Sequence, residues 1–323
     1  MKRFLFGALG MAMVFAAPAF ADGPKATAEA LDAKLQAWMQ SDSVSAATLA
    51  VMRHGKLIAS YGHGMSPTTP YPVASLSKAI TAVCLAPYID AQRFGFDDTY
   101  SHILAPWMAK HDAPADPRFN SMTIGELLTH RAGLQRNTFG NAKNLITVVL
   151  NTMSAKLQSN PGSEYSYSNS GYALLGYLIQ TLAQKRYEDA CRPVLTRVGA
   201  TGFIDPNMPQ RAANGGWEIS AVDYAKFVQV FDEHSPFLGP ITQRWLLSQP
   251  GNPSYSLGVN VKNIGGRYEF FHNGKVADDE GGGSYFLKTV NDYTAVVIFA
   301  GSPAGNGYSD LFNIMKSTLM SGN

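Results

Sequence analysis

Residues 72–81 read PVASLSKAIT, with Ser75 and Lys78 three apart, just past a proline and at the head of an apolar run. On a helix, positions i and i+3 share a face and lie close together. An apolar neighbourhood depresses a lysine pKa by desolvation, so the amine can act as a base. A serine near a helix N-terminus also sits where backbone N–H groups favour developing negative charge. Serine and lysine are common residues, so the spacing needs support from the rest of the chain.

A second polar stretch lies downstream in GSEYSYSNSGYALLG (162–176). Tyr167-Ser168-Asn169 falls between the Pro161-Gly162 turn and a helix. A tyrosine and an asparagine two apart in an extended segment point the same way. A third stretch, YEFFHNGKVADDEGGGSYF (268–286), ends a strand at His272-Asn273-Gly274. A glycine at a strand edge allows close backbone approach. The N–H of Lys275 just past it is a candidate oxyanion donor together with that of Ser75.

Outside these stretches the chain has 323 residues and begins MKRFLFGALGMAMVFAAPAFADG. A basic n-region (Lys2, Arg3), an apolar run and Ala19-Phe20-Ala21 make residues 1–21 a secretory signal peptide. Export to the periplasm or beyond is therefore expected, with no membrane span after signal removal. The whole chain carries 26 basic and 24 acidic residues, a net of +2. Without Lys2 and Arg3 the counts are 24 and 24 and the net charge is 0. That balance argues against a nucleic-acid partner. The two cysteines, Cys84 and Cys191, could pair in an oxidising compartment. Their apolar or mixed helix-like surroundings favour two buried free thiols.

Helical spacing at 26–40 predicts an N-terminal helix, and 45–64 reads as two strands joined at His54-Gly55. Helix patterns dominate 79–215. Strand patterns then return (YSLGVNVK, RYEFFHNG, GSYFLKTV, DYTAVVIFA), and an amphipathic helix closes the chain at 308–320. The expected fold is α/β of the α+β type. An antiparallel sheet (about 22–78 and 216–323) is flanked by the terminal helices, and a mostly helical lobe (about 79–215) is inserted in it, all within one catalytic domain, 22–323.

The order S-x-x-K, Y-x-N, H-x-G resembles the penicillin-recognising serine hydrolases. The detailed likeness is to the branch of class C β-lactamases, D-alanyl-D-alanine carboxypeptidases and their esterase relatives. LLTHRAGL and GGWEISAVDYAKF support it, and the likeness runs from about residue 28 to the C-terminus. The resemblance implies Ser75 as nucleophile, Lys78 as its base and Tyr167 as proton relay to the leaving group. It implies Asn169, His272, Asn273, Gly274 and Lys275 as substrate-binding residues, acyl-enzyme chemistry on a peptide, ester or β-lactam, and no cofactor or metal. Where many β-lactamases have K-T-G, this chain has H-N-G, which favours a carboxypeptidase or esterase over an efficient β-lactamase. A histidine there is expected to gain charge as pH falls from about 8 to 5 and so to attract a substrate carboxylate. Asp278-Asp279-Glu280 could favour substrates with an amino group. His130 fits a structural role. The alternative, from another class, is a binding protein or sensor that acylates slowly or not at all.

Overall fold

Strand-forming stretches from the two ends of the chain meet in one sheet, and a computed structural model shows how, describing residues 23–251, 253–276 and 281–322. The signal peptide and the acidic triplet Asp278-Asp279-Glu280 lie outside the described residues. Among the described residues ten strands form: β1 (Ala46–Arg53), β2 (Lys56–His63), β3 (Tyr71–Pro72), β4 (Phe203–Ile204), β5 (Trp217–Ile219), β6 (Ser254–Ser256), β7 (Val259–Ile264), β8 (Arg267–Val276), β9 (Gly282–Lys288) and β10 (Tyr293–Ala300). The helices are α1 (Gly23–Ser41), α2 (Ser77–Asp90), α3 (Tyr100–Ile103), α4 (Ala105–Met108), α5 (Ile124–Leu128), α6 (Leu145–Met153), α7 (Asn169–Ala183), α8 (Tyr187–Thr196), α9 (Ala221–Val228), α10 (Pro240–Ser248) and α11 (Gly307–Ser321).

The main sheet has seven strands in the order β2-β1-β10-β9-β8-β7-β6. Neighbours pair antiparallel, so the N-terminal hairpin joins the C-terminal meander through β1 and β10, with Ala46 opposite Ala300 and Arg53 opposite Tyr293. Side chains alternate across a strand, and here both faces are covered. Ala50 and Met52 of β1 face the helical lobe, whereas Ala47, Leu49 and Val51 face α1 and α11. Leu31, Leu35 and Trp38 of α1 and Leu311, Met315 and Leu319 of α11 fill that second layer. Each such buried side chain contributes about 1.5–3 kcal/mol relative to exposure. The sheet flanked by terminal helices matches the sequence-based expectation.

The inserted region departs from it in one respect. Residues 217–219 pair with both 71–72 and 203–204 in a small second sheet, ordered β3-β5-β4. These strands are two or three residues long, too short for an alternation pattern to show. The sheet anchors both ends of the helical region beside the start of α2. Among the described residues, no helix is long and apolar enough to cross a membrane.

The cysteines also depart from expectation. Cys84 on α2 and Cys191 on α8 form a disulfide with Cα atoms 5.3 Å apart, not two free thiols. Their surroundings are apolar as read, but the packing of α8 along α2 brings two residues 107 positions apart into bonding distance. A bridge closing a loop of this length typically stabilises by about 2–4 kcal/mol, chiefly by constraining the unfolded chain. The double substitution Cys84→Ala/Cys191→Ala should therefore lower the unfolding free energy by about that amount in urea titrations. Equal stability of the two proteins, or alkylation of both thiols in the unreduced chain, would contradict the bridge.

Candidate active site

The serine–lysine pair stands where the main sheet meets the helical lobe. A short 3₁₀ turn, Ala74–Leu76, leads into α2, so Ser75 precedes Lys78 by one turn on the same side. Ala74 is held at φ 46°, a left-handed conformation that non-glycine residues seldom adopt. Its neighbour Val73 explains how that conformation persists. The Val73 N–H donates to the carbonyl of Trp217 (3.0 Å), and its carbonyl accepts from Ser284 Oγ (2.8 Å). The turn is thus gripped from both sheets.

Lys78 is fully buried. Its Nζ lies 3.1 Å from Ser75 Oγ, 2.8 Å from Asn169 Oδ1 and 2.7 Å from the carbonyl of Asn214. Burial drives its pKa well below that of an ordinary lysine, and the positive charges of Arg136 and Arg211 add to the shift. A neutral amine has two N–H groups and one lone pair. Two of its oxygens, Asn169 Oδ1 and the Asn214 carbonyl, can only accept. Both hydrogens are therefore spoken for, and the lone pair faces the Ser75 hydroxyl. Geometry and burial together poise Lys78 to take the proton of Ser75.

Tyr167 approaches the same hydroxyl from the other side. Burial pushes its phenol above the ordinary value, and its hydrogen bond with Ser75 pulls the other way. The Lys78 ammonium position lies 4.8 Å from the centre of the Tyr167 ring. The segment carrying Tyr167 is fixed by His130. The N–H of Ser168 donates to His130 Nδ1 (3.1 Å), and the N–H of Ser166 donates to the His130 carbonyl (2.7 Å). The His130 ring lies 4.2 Å from that of Tyr167. Its expected structural role is thereby given a location: it holds the Y-S-N stretch. Ser168 then caps α7 by accepting from the N–H of Gly171.

Asn169 opens α7 with both ends of its amide engaged. Oδ1 accepts from Lys78, and Nδ2 donates to Asn137 Oδ1 at 2.8 Å. Asn137 was missed in the sequence, where GLQRN carries no distinctive pattern. Asn214 was missed too, because it acts through its backbone carbonyl.

On the sheet side, Ser75, His272, Asn273 and Lys275 all line one cleft of about 560 Å³. Tyr167, Asn169, Arg136 and Arg211 line it as well. Gly274 has a reason within the fold to lack a side chain. A Cβ there would stand 2.5 Å from both the Val73 carbonyl and Ser284 Oγ, so the glycine admits the protein's own backbone. Gly258 is similar: a Cβ would come within 2.6 Å of the Lys78 and Ala79 backbone. Among the described residues, no group of three His, Cys, Asp or Glu is placed to hold a metal ion.

His272 differs from expectation. It is buried, with Nδ1 2.6 Å from the Asn273 carbonyl and Nε2 3.0 Å from the Tyr255 hydroxyl. The carbonyl can only accept, so Nδ1 carries the proton and Nε2 accepts from Tyr255. Burial and the nearby Lys78 lower its pKa to about 3. A neutral ring satisfied at both nitrogens gains no charge between pH 8 and 5. The sequence showed a histidine at a strand end but not the desolvation around it.

Comparison with known proteins bears on the family and the fold. The sequence profile of the beta-lactamase family matches residues 31–311. The chain belongs to that family. Protein flp of Staphylococcus aureus strain MW2 is 25% identical over 172 residues, covering 49% of this chain and 34% of flp. The matched stretch is thus about a third of that relative's length. Among solved structures, D-amino acid amidase from Ochrobactrum anthropi SV3 superposes with a TM-score of 0.75 at 15% identity, covering 92% of this chain and 99% of the amidase. A protein described as Beta-Lactamase/D-Alanine Carboxypeptidase, from Pseudomonas syringae, gives 0.72 at 15% identity, covering 90% and 99%. At such identities the likeness is one of fold.

The low pKa of His272 has a sign that can be checked. The unfolded chain binds a proton there near pH 6.5, whereas the folded protein does so only near pH 3. Stability is therefore lost as pH falls through that window. The urea midpoint should drop between about pH 6.5 and 3, and His272→Gln should flatten the slope. An unchanged slope would mean that the ring is not held neutral.

Proposed function

We propose that this protein is an exported serine hydrolase that forms an acyl-enzyme on Ser75 and hydrolyses an amide or ester. The observation that carries the reading is the arrangement at Lys78, a buried amine with two hydrogens committed to acceptors and its lone pair toward a hydroxyl. Membership of the beta-lactamase family supports it. The leader-like residues 1–21 support export.

In this mechanism Ser75 Oγ attacks the substrate carbonyl as its proton passes to Lys78 Nζ. The oxyanion that forms sits against the N–H groups of Ser75 and Lys275, the first in the unsatisfied opening turn of a helix and the second on β8. Lys78 then carries the extra proton next to Tyr167. Return of that proton through the Tyr167 hydroxyl to the departing nitrogen or oxygen breaks the scissile bond and leaves the ester on Ser75. Water repeats the sequence and releases the acid. His272 and Asn273 shape the strand wall as neutral groups. The substitution of H-N-G for a lysine-bearing motif supports a carboxypeptidase, amidase or esterase over an efficient β-lactamase.

Intact-mass spectrometry with a fluorophosphonate should show one adduct on the protein and none on Ser75→Ala. An adduct that persists in Ser75→Ala, or that maps to Ser77, excludes Ser75. An adduct on Ser75 without turnover of p-nitrophenyl esters, D-amino-acid amides, D-Ala-D-Ala peptides or nitrocefin would favour a sensor.

Lys78→Ala and Tyr167→Phe should each reduce kcat/KM by orders of magnitude. Because they share one proton path, the double variant should be little worse than the poorer single. Losses that multiply would show that the two side chains act independently.

A further inference from the structure

Two arginines in the cleft have no role in the chemistry just described. Arg136 and Arg211 line the helical-lobe wall, opposite the strand that carries His272. Arg136 stacks over the Tyr167 ring, 5.1 Å from its centre, and Arg211 over the Phe139 ring, 5.3 Å from its centre. Among the described residues, no carboxylate forms an ion pair with either guanidinium. Among the described residues, no aspartate or glutamate lines the cleft.

Each arginine is also tied to one of the oxygens that grip Lys78. The Arg136 carbonyl accepts from the N–H of Asn169 (2.8 Å), and the Arg211 carbonyl accepts from the N–H of Asn214 (3.0 Å). Both cations are thus built into the frame of the site. Their positive field also works against protonation of Lys78, so placing them there has an electrostatic cost unless an anion joins them. Planar guanidinium groups with free donors suit a carboxylate. The residue adjoining Arg136, Asn137, bonds to Asn169, which the family resemblance makes a substrate-binding residue.

We propose that Arg136 and Arg211 form an anion subsite on the helical-lobe wall, and that the substrate carries a carboxylate on its acyl part. This rests on the reading of Ser75 as the nucleophile. It moves recognition of charge from the strand, where His272 is neutral, to the facing wall.

The test uses two p-nitrophenyl esters with the same leaving group, the monoester of adipic acid and its terminal carboxamide counterpart. The unmodified enzyme should prefer the carboxylate by about ten-fold in kcat/KM. That preference should shrink as ionic strength rises from about 0.01 to 1 M, where the screening length falls from about 30 to 3 Å. The double variant Arg136→Gln/Arg211→Gln should reduce the ratio to below about two-fold. Taking a ratio cancels any change in Lys78, which both esters share. A ratio near one in the unmodified enzyme, a preference that survives in the double variant, or turnover of neither ester by an enzyme that labels on Ser75 would each overturn the subsite. If the double variant does not fold, the single variants Arg136→Gln and Arg211→Gln decide: each should lower the ratio, whereas Lys275→Gln on the strand wall should leave it unchanged, and the reverse result overturns the subsite. Failure of the serine mechanism is separately visible, as an adduct or turnover that persists in Ser75→Ala.

Discussion

A lysine side chain with no access to water sets the terms for this structure. Burying an ammonium group without compensation is prohibitively costly, so the chain must either pair it or let it lose its proton. Here no carboxylate answers Lys78. Three oxygens do, from Ser75, Asn169 and Asn214. Those residues come from the 3₁₀ turn before α2, the start of α7 and the turn before β5. Much of the helical lobe reads as the means of bringing them together. Thr81, one turn beyond Lys78, donates to the Ala213 carbonyl (2.5 Å) and meets the Tyr187 hydroxyl (2.6 Å). The residue after Ala213 is Asn214. The disulfide joins the same two helices, α2 and α8, about one turn further along each.

Around that amine the protein builds a surface of neutral polar groups. His130 and His272 are both held unprotonated, chiefly by burial. Tyr167, Tyr172 and Tyr255 pack against His130 with ring centres 4.2, 5.2 and 4.6 Å away. Burial raises all three phenols, so they remain protonated. The groups packed around the amine therefore form hydrogen bonds without carrying charge, and the cations that line the cleft are Arg136, Arg211 and Lys275. A low-dielectric floor strengthens whatever charge the reaction itself creates.

Most of the architecture was legible because it depends on period. Alternation exposed β1, β2 and the C-terminal meander, and helical spacing exposed α1, α6, α7 and α11. Ser75, Lys78, Tyr167 and Asn169 were legible because their spacings are imposed by a helix turn and an extended segment. What escaped was set by contacts far apart in sequence. The bridge between Cys84 and Cys191 depends on how two helices lie together. The charge state of His272 depends on the atoms that surround it. Asn214 contributes a carbonyl, which every residue type possesses. Arg136 and Arg211 belong to no pattern until Tyr167 and Phe139 lie beneath them. Gly274 was read as a point where a ligand could approach; the close approach the fold shows there is that of the Val73 carbonyl, which the sequence does not reveal.

The grip on the turn at Ala74 has a consequence for when the protein acquires its reactivity. Lys78 meets Asn169 and the Asn214 carbonyl across 91 and 136 residues of chain, and Val73 meets Ser284 across 211. Contacts that close loops of this size form late in folding, after local structure. Until the last strands dock, Lys78 is an ordinary solvated ammonium and Ser75 an ordinary alcohol. On the proposed mechanism, a nascent or extended chain thus carries no activated nucleophile, and the hydroxyl is switched on by completion of the fold itself. Chemical competence reports that the sheet has closed.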